Sequence, residues 1–232
     1  MTRLSLLVLS LAALLGPGLA VDVGILNNVV DQLLNRFKPN FPNTNNAPTF
    51  TLAVKVPQGS QPGQYNVNQV PDTSDSVKNV ILNSCDIYSS SSLVAATVLK
   101  PVDGHYCQTQ PPVIGHSEYR VLQRFNLQAQ GQELMVFYCS TSPCNGICTN
   151  DRNSYNILQL IKRINAWANR ALVFTKIFKP PNRGPLTPAE MTTSLKNLGA
   201  SIGLSNIYRC SGGQCQRCFN NDLAVRFCIA DN

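Results

Sequence analysis

The sequence predicts a three-layer α/β domain, and three observations carry the prediction. From residue 116 onward the pattern runs helix, strand, helix, strand, helix, strand. The first strand segment, 133–139, is a short apolar run fit for a buried strand. The helical segments repeat apolar residues every three or four positions, the stripe a helix needs to cover a sheet.

The elements follow in order. Ile25, Leu26, Val29, Val30, Leu33, Leu34 and Phe37 recur at helical spacing, so 23–37 is an amphipathic helix, and Pro39 and Pro42 end it. An Asn/Pro-rich loop covers 39–49, and 49–56 alternates like a strand. Residues 57–75 are rich in Gly, Pro, Gln and Asn and predict a loop, with a short helix near 75–83. Residues 92–99 form a second strand, and Pro101, Gly104, Pro111, Pro112 and Gly115 mark 100–115 as loop. A helix over 116–127 carries Val121, Leu122 and Phe125 on one face, and 133–139 is a buried strand. Ile157, Leu158, Leu160, Ile161, Ile164 and Trp167 predict a helix over 144–168, followed by a strand at 171–178. Thr187-Pro188-Ala189-Glu190 starts a last helix, with Pro at its first position and Glu at its third, stopping near Gly199. A final strand falls in 201–210, and no internal repeat is present.

Residues 1–20 have the form of a secretory signal peptide. Arg3 supplies the basic start, Leu4 to Leu15 is a twelve-residue uncharged apolar stretch, and Gly18-Leu19-Ala20 offers small residues for cleavage. That stretch is too short to span a bilayer comfortably, and no later apolar run reaches transmembrane length. Cleavage after Ala20 leaves 212 residues, enough for one domain with its own core over 21–232. Its 18 basic and 12 acidic residues give a net charge of +6, which favours anionic partners such as nucleic acid, glycans or membrane surfaces.

All nine cysteines follow the signal, and the secretory route is oxidising. Cys85, Cys107, Cys210, Cys215, Cys218 and Cys228 are the disulfide candidates; six cysteines allow fifteen pairings, so connectivity stays open. A second zinc site on Cys210, Cys215, Cys218 and Cys228 is the weaker alternative in a secreted chain. Cys139, at the end of an apolar run, is the odd cysteine and is expected as a buried free thiol.

The remaining cysteines belong to a split motif. His116-Ser117-Glu118 is followed, after 24 residues, by Pro143-Cys144-Asn145-Gly146-Ile147-Cys148. His116, Cys144 and Cys148 are three ligands suited to zinc, and Glu118 is a carboxylate left over. Three protein ligands and an open fourth position describe a catalytic zinc site rather than a structural one. His116 and Glu118 open one predicted helix, and Pro143-Cys144 opens the next. There the two cysteines, four apart, share a face, and the helix N-terminus lowers their thiol pKa. The plainer alternative is an ordinary histidine and a Cys144–Cys148 disulfide. The pattern H-x-E followed by P-C and a second Cys is similar to that of the zinc base deaminases, in which zinc lowers the pKa of water and the glutamate carries its proton to the ring nitrogen and leaving amine.

The surrounding residues extend the resemblance. Ser140-Thr141-Ser142-Pro143-Cys144 and Ala171-Leu172-Val173-Phe174-Thr175-Lys176-Ile177-Phe178 resemble the AID/APOBEC-like cytidine deaminases, in a secreted branch, over about residues 91–210. The resemblance implies a cytidine-deaminase-like α/β/α domain with a central mixed five-stranded sheet. The deaminase core would span about 49–210, with a cysteine-rich extension over 210–228. It also implies Zn²⁺, Glu118 as the catalytic residue, and substrate binding at Ser142 and Pro143, the Ser142 carbonyl holding the target amine. An immune role is common in that superfamily. The chain departs from the pattern in four places. Its cysteines are spaced C-x3-C, Ser117 stands where Ala is commoner, and Thr141 replaces a Trp. Lys179-Pro180-Pro181 replaces an aromatic-rich loop.

Between Arg152 and Pro188 lie seven basic residues and no acidic one. Arg152, Lys176, Lys179 and Arg183 are the candidate contacts to a nucleic-acid backbone, with a solvated charged face as the alternative. Tyr119, Phe178 and Tyr208 are candidates to stack a base. The expectation is a secreted zinc-dependent deaminase converting cytosine to uracil in single-stranded DNA or RNA. The alternatives are a free cytidine or deoxycytidine deaminase, or an inactive disulfide-rich extracellular binding protein on the same fold.

Overall fold

The structure, a computed structural model, describes residues 20–99, 115–180 and 183–230. The predicted signal peptide (Ala20 excepted), most of the predicted 100–115 loop, and Cys107 lie outside the described residues.

A seven-stranded mixed sheet forms the centre. In chain order the strands are β1 (Phe50–Val56), β2 (Tyr88–Ser89), β3 (Leu93–Thr97), β4 (Leu134–Thr141), β5 (Asn169–Lys176), β6 (Ile207–Ser211) and β7 (Gln214–Arg217). Their order across the sheet is β2-β3-β1-β4-β5-β6-β7. β4, β5 and β6 run parallel, and every other neighbouring pair is antiparallel. The inner five strands, β3-β1-β4-β5-β6, are the five read from the sequence. The expected strand count is therefore corrected from five to seven by one short polar strand at each edge. A separate hairpin of two residues per strand, β8 (Phe219–Asn220) and β9 (Leu223–Ala224), follows.

Helices cover both faces. On one side, α1 (Val23–Phe37) buries Leu26, Val29, Val30, Leu33 and Phe37 beside the short α2 (Ser74–Lys78) and the wider turn Asn79–Asn83. Asp22 caps α1, its Oδ1 accepting from the Gly24 and Ile25 amides at 2.9 and 3.0 Å. On the other side lie α3 (Ser117–Gln123), a 3-10 helix over Leu160–Ala166, α4 (Pro188–Ile202) and α5 (Arg226–Ile229). Two buried clusters, one per face, make the three layers. Alternation along β1 divides them: Leu52, Val54 and Val56 join the α1 cluster, whereas Ala53 joins the α3–α4 cluster.

α4 begins with the predicted capping box: Thr187 Oγ1 accepts from the Glu190 amide, and Glu190 Oε2 accepts from the Thr187 amide. Its end is corrected from Gly199 to Ile202, where Gly203 takes a positive φ of 88° that glycine adopts without strain and the helix cannot continue. Thr187→Ala removes the cap and is expected to cost about 1 kcal/mol in urea unfolding. An unchanged midpoint would show that the Arg183–Glu190 pair holds the turn alone.

The predicted helix over 144–168 is not formed. Residues 145–149 make a turn, and only Leu160–Ala166 is helical, in the 3-10 form. The side chains of Asn150, Asn153 and Asn156 accept from the amides of Arg152, Tyr155 and Leu158. Such local bonds compete with a helix and break the segment into successive turns.

The disulfides follow the expected cysteines. Cys210 pairs with Cys215 across the β6–β7 hairpin, and Cys218 with Cys228. These pairings exclude a second zinc site on the four cysteines. Cys85 is disulfide-bonded, and Cys139 is a buried free thiol.

Candidate active site

The site lies at the carboxyl ends of parallel strands β4, β5 and β6, where an open α/β sheet forms its crevice. A cavity of ≈ 960 Å³ opens there, lined by His116, Glu118 and Cys144 and by residues following β4, β5 and β6.

His116 is the N-cap of α3 and makes no capping bond with its side chain, so the ring is free to turn inward. Its position depends on Gly115. The Leu99 amide donates to the Gly115 carbonyl at 2.8 Å in an isolated antiparallel bridge. A Cβ on Gly115 would sit 2.3 Å from Leu99 Cβ and 3.0 Å from the Leu99 nitrogen, so only glycine fits. Gly115→Ala is therefore expected to push His116 aside and weaken zinc binding about 10–100-fold. A chelator-competition titration checks this, and parental affinity would contradict it.

Cys144 and Cys148 lie on the turn that follows β4. Thr149 N–H donates to the Cys144 carbonyl at 3.1 Å. α4 fixes the turn from below. Thr149 Oγ1 lies 2.8 Å from Ser194 Oγ, Ser194 donates to the Pro143 carbonyl at 3.3 Å, and Asn197 Nδ2 donates to the Thr149 carbonyl at 2.9 Å. No helix begins at Pro143, so the expected helix-terminus effect on the thiols is corrected. The Cys144 thiol is nonetheless lowered, first by its bond with Cys148, then by His116 and by the Cys148 amide at 3.3 Å. The Cys148 thiol is raised, first by the neighbouring Cys144 and then by burial. His116 is raised by its bond to Cys144.

The three ligand atoms form a small triangle. Cys144 Sγ and Cys148 Sγ are 3.5 Å apart, and His116 Nδ1 lies 3.7 and 3.3 Å from them. A tetrahedral ion with Zn–S of ~2.3 Å and Zn–N of ~2.0 Å needs edges of roughly 3.5–3.8 Å. The donor set and its spacing therefore fit zinc, and among the described residues this is the one His/Cys/Asp/Glu group close enough to hold a metal. The alternative Cys144–Cys148 disulfide is absent; both thiols are free.

Glu118 lines the same cavity from the first turn of α3 and is only 4% exposed. Burial, the largest cause, pushes its carboxyl up to about 7. Phe178 also lines the cavity, and its amide donates to Ser142 Oγ at 2.9 Å. Lys176, Lys179, Arg183 and Arg209 complete a basic wall. Arg183 pairs with Glu190, and Arg209 donates to the Thr175, Phe227 and Ala230 carbonyls.

Comparison with known families supplies the affiliation: a family model described as Secreted Novel AID/APOBEC-like Deaminase 1 matches residues 24–232. The chain belongs to this family. No curated protein and no solved structure matches it.

Not every predicted residue reaches the cavity. Ser142 lines it; Pro143 is buried beside it, its carbonyl tied to α4. Arg152 is exposed on a turn outside the lining. Tyr208 is corrected as a stacking candidate: it is fully buried on the opposite face of the sheet, its hydroxyl donating to the Val21 carbonyl. Tyr119 packs edge-on against Tyr155 and does not line the cavity.

Sequence reasoning missed the residues that hold the site from behind. Gly115, Thr149, Ser194 and Asn197 act through long-range contacts with no local pattern. Arg120, 8% exposed, anchors α3 by donating to the Thr97 and Cys85 carbonyls at 2.6 and 2.7 Å. The spacing of Arg120 four residues after His116 was the one available signal.

Proposed function

We propose that the protein is a secreted zinc-dependent deaminase that converts cytosine to uracil in single-stranded nucleic acid. The observation that carries the reading is the His116, Cys144 and Cys148 triangle with Glu118 on the wall of the same cavity. A bound zinc supplies the Lewis acidity that makes water a nucleophile near neutral pH. His116, Cys144 and Cys148 would hold it. Glu118 accepts one proton from water and passes it to the ring nitrogen, then takes the second from the oxygen now bonded to the ring carbon and passes it to the departing amine, so cytosine and water give uracil and ammonia. Burial raises that carboxyl from its ordinary value, which favours its holding and then returning a proton. The Ser142 carbonyl orients the amine, and Phe178 offers an apolar face to the base.

Polynucleotide is favoured over free nucleoside by the cavity wall. The lining carries Lys176, Lys179, Arg183 and Arg209 against one carboxylate, that of Glu118. Phosphates bind such a surface, and a nucleoside has none. Secretion is supported by the family description and by the disulfides; among the described residues no helix is long and apolar enough to cross a membrane. The deciding experiment compares deamination of cytidine, single-stranded DNA and single-stranded RNA by the purified protein. Uracil formation in a polynucleotide, weakening as salt rises, is expected. Turnover of cytidine alone would redirect the reading to a nucleoside enzyme, and turnover of none would favour the binding protein.

A further inference from the structure

A buried chain of hydroxyl groups ends on Glu118 from behind the cavity. Ser117 Oγ, 1% exposed, donates to Glu118 Oε2 at 3.2 Å. Thr51 Oγ1, on β1, lies 2.8 Å from Ser117 Oγ and is fully buried. Each hydroxyl carries one proton, so Ser117, giving its proton to the carboxylate, receives one from Thr51. Behind Thr51, its cross-strand neighbour on β4 is Cys139, a buried free thiol. The two hydroxyls can therefore donate in one direction, from Thr51 through Ser117 to Glu118.

These hydroxyls sit among Ala53, Ala96, Val121 and Phe137 in the apolar cluster under α3. Burying polar groups there is unfavourable unless they are paired, and their pairing fixes their geometry. An alanine at 117 would make neither bond.

We propose that Thr51 and Ser117 are positioning residues for Glu118: they hold Oε2 in place so that Oε1 exchanges protons in the cavity. The kinetic consequence rests on the deaminase reading; the structural one does not. Ser117→Ala is expected to lower kcat roughly tenfold, the effect of one hydrogen bond to a charged group, with KM within about twofold. Zinc content per chain stays at the parental value. Thr51→Val, nearly isosteric, gives a smaller loss of the same kind. The double variant is no worse than Ser117→Ala, because both residues act through one chain of bonds. Ser117→Thr, which keeps the hydroxyl, restores kcat. Crystal structures of zinc-loaded parent, Ser117→Ala and Thr51→Val supply a readout independent of turnover: the Glu118 carboxylate leaves its parental orientation. Parental kcat, losses that multiply in the double variant, or an unmoved Glu118 carboxylate would overturn the proposal. An inactive parent would overturn the deaminase reading, and the structures alone would then decide whether Thr51 and Ser117 orient Glu118.

Discussion

Replacing Glu118 by glutamine is expected to lower the deamination rate by roughly 10²–10⁴ while the protein keeps its zinc. The two side chains have nearly the same size, and Glu118 is not one of the three atoms of the ligand triangle. Glutamine can accept from Ser117 as the carboxylate does, but it cannot take a proton from water at neutral pH. The variant therefore removes the proton carrier and leaves the rest of the cavity standing. Single-turnover rates on a cytosine-containing oligonucleotide measure the loss, and metal analysis of the same preparation measures the zinc. A variant that works at the parental rate would end the deaminase assignment. One that loses zinc would make Glu118 a ligand.

The largest stability loss is expected at Phe174. This residue is fully buried on β5, with Cys139 opposite on β4 and Arg209 opposite on β6. It belongs to the cluster under the site, together with Cys144 and Cys148. Truncation to alanine both removes a large apolar side chain and leaves a cavity between two sheet neighbours and the covering helices. The cost is about 3–5 kcal/mol. For a chain of this size that corresponds to a fall in Tm of roughly 6–20 °C. Lys196, exposed on α4, is the control: Lys196→Ala should change stability by no more than about 0.5 kcal/mol. A Phe174→Ala protein with the parental midpoint would mean that the interior on the site's side of the sheet is not packed as described.

The inner strands were readable from apolar runs or from apolar alternation, because the sheet buries them: β1, β3 and the first six residues of β4 are buried throughout. The edge strands were not. β2 is two residues in a serine-rich stretch, and β7 is Gln214-Cys215-Gln216-Arg217. β7 did leave a signal, since Gly212-Gly213, with φ of 62° and 76°, is the two-residue turn of a tight hairpin. The misread helix has a similar lesson. Leu158, Ile161, Ile164 and Trp167 are all buried and spaced strictly by three, the period of the 3-10 form rather than of an α-helix. The metal triangle and Glu118 were legible because their chemistry restricts residue type and spacing. Thr51, Thr149, Ser194 and Asn197 were not, because one hydroxyl or amide aimed across the fold looks in sequence like any other.

Zinc stoichiometry tests the central claim most directly. Protein purified without chelators and analysed by atomic emission should carry one zinc per chain. His116→Ala should lose it, since two thiolates and solvent make a poorer site, and Cys144→Ser should lose it for the same reason, while Ser142→Ala should keep it. Parent protein without zinc that binds none on titration, or a Cys144–Cys148 disulfide found by peptide mapping, would contradict the account.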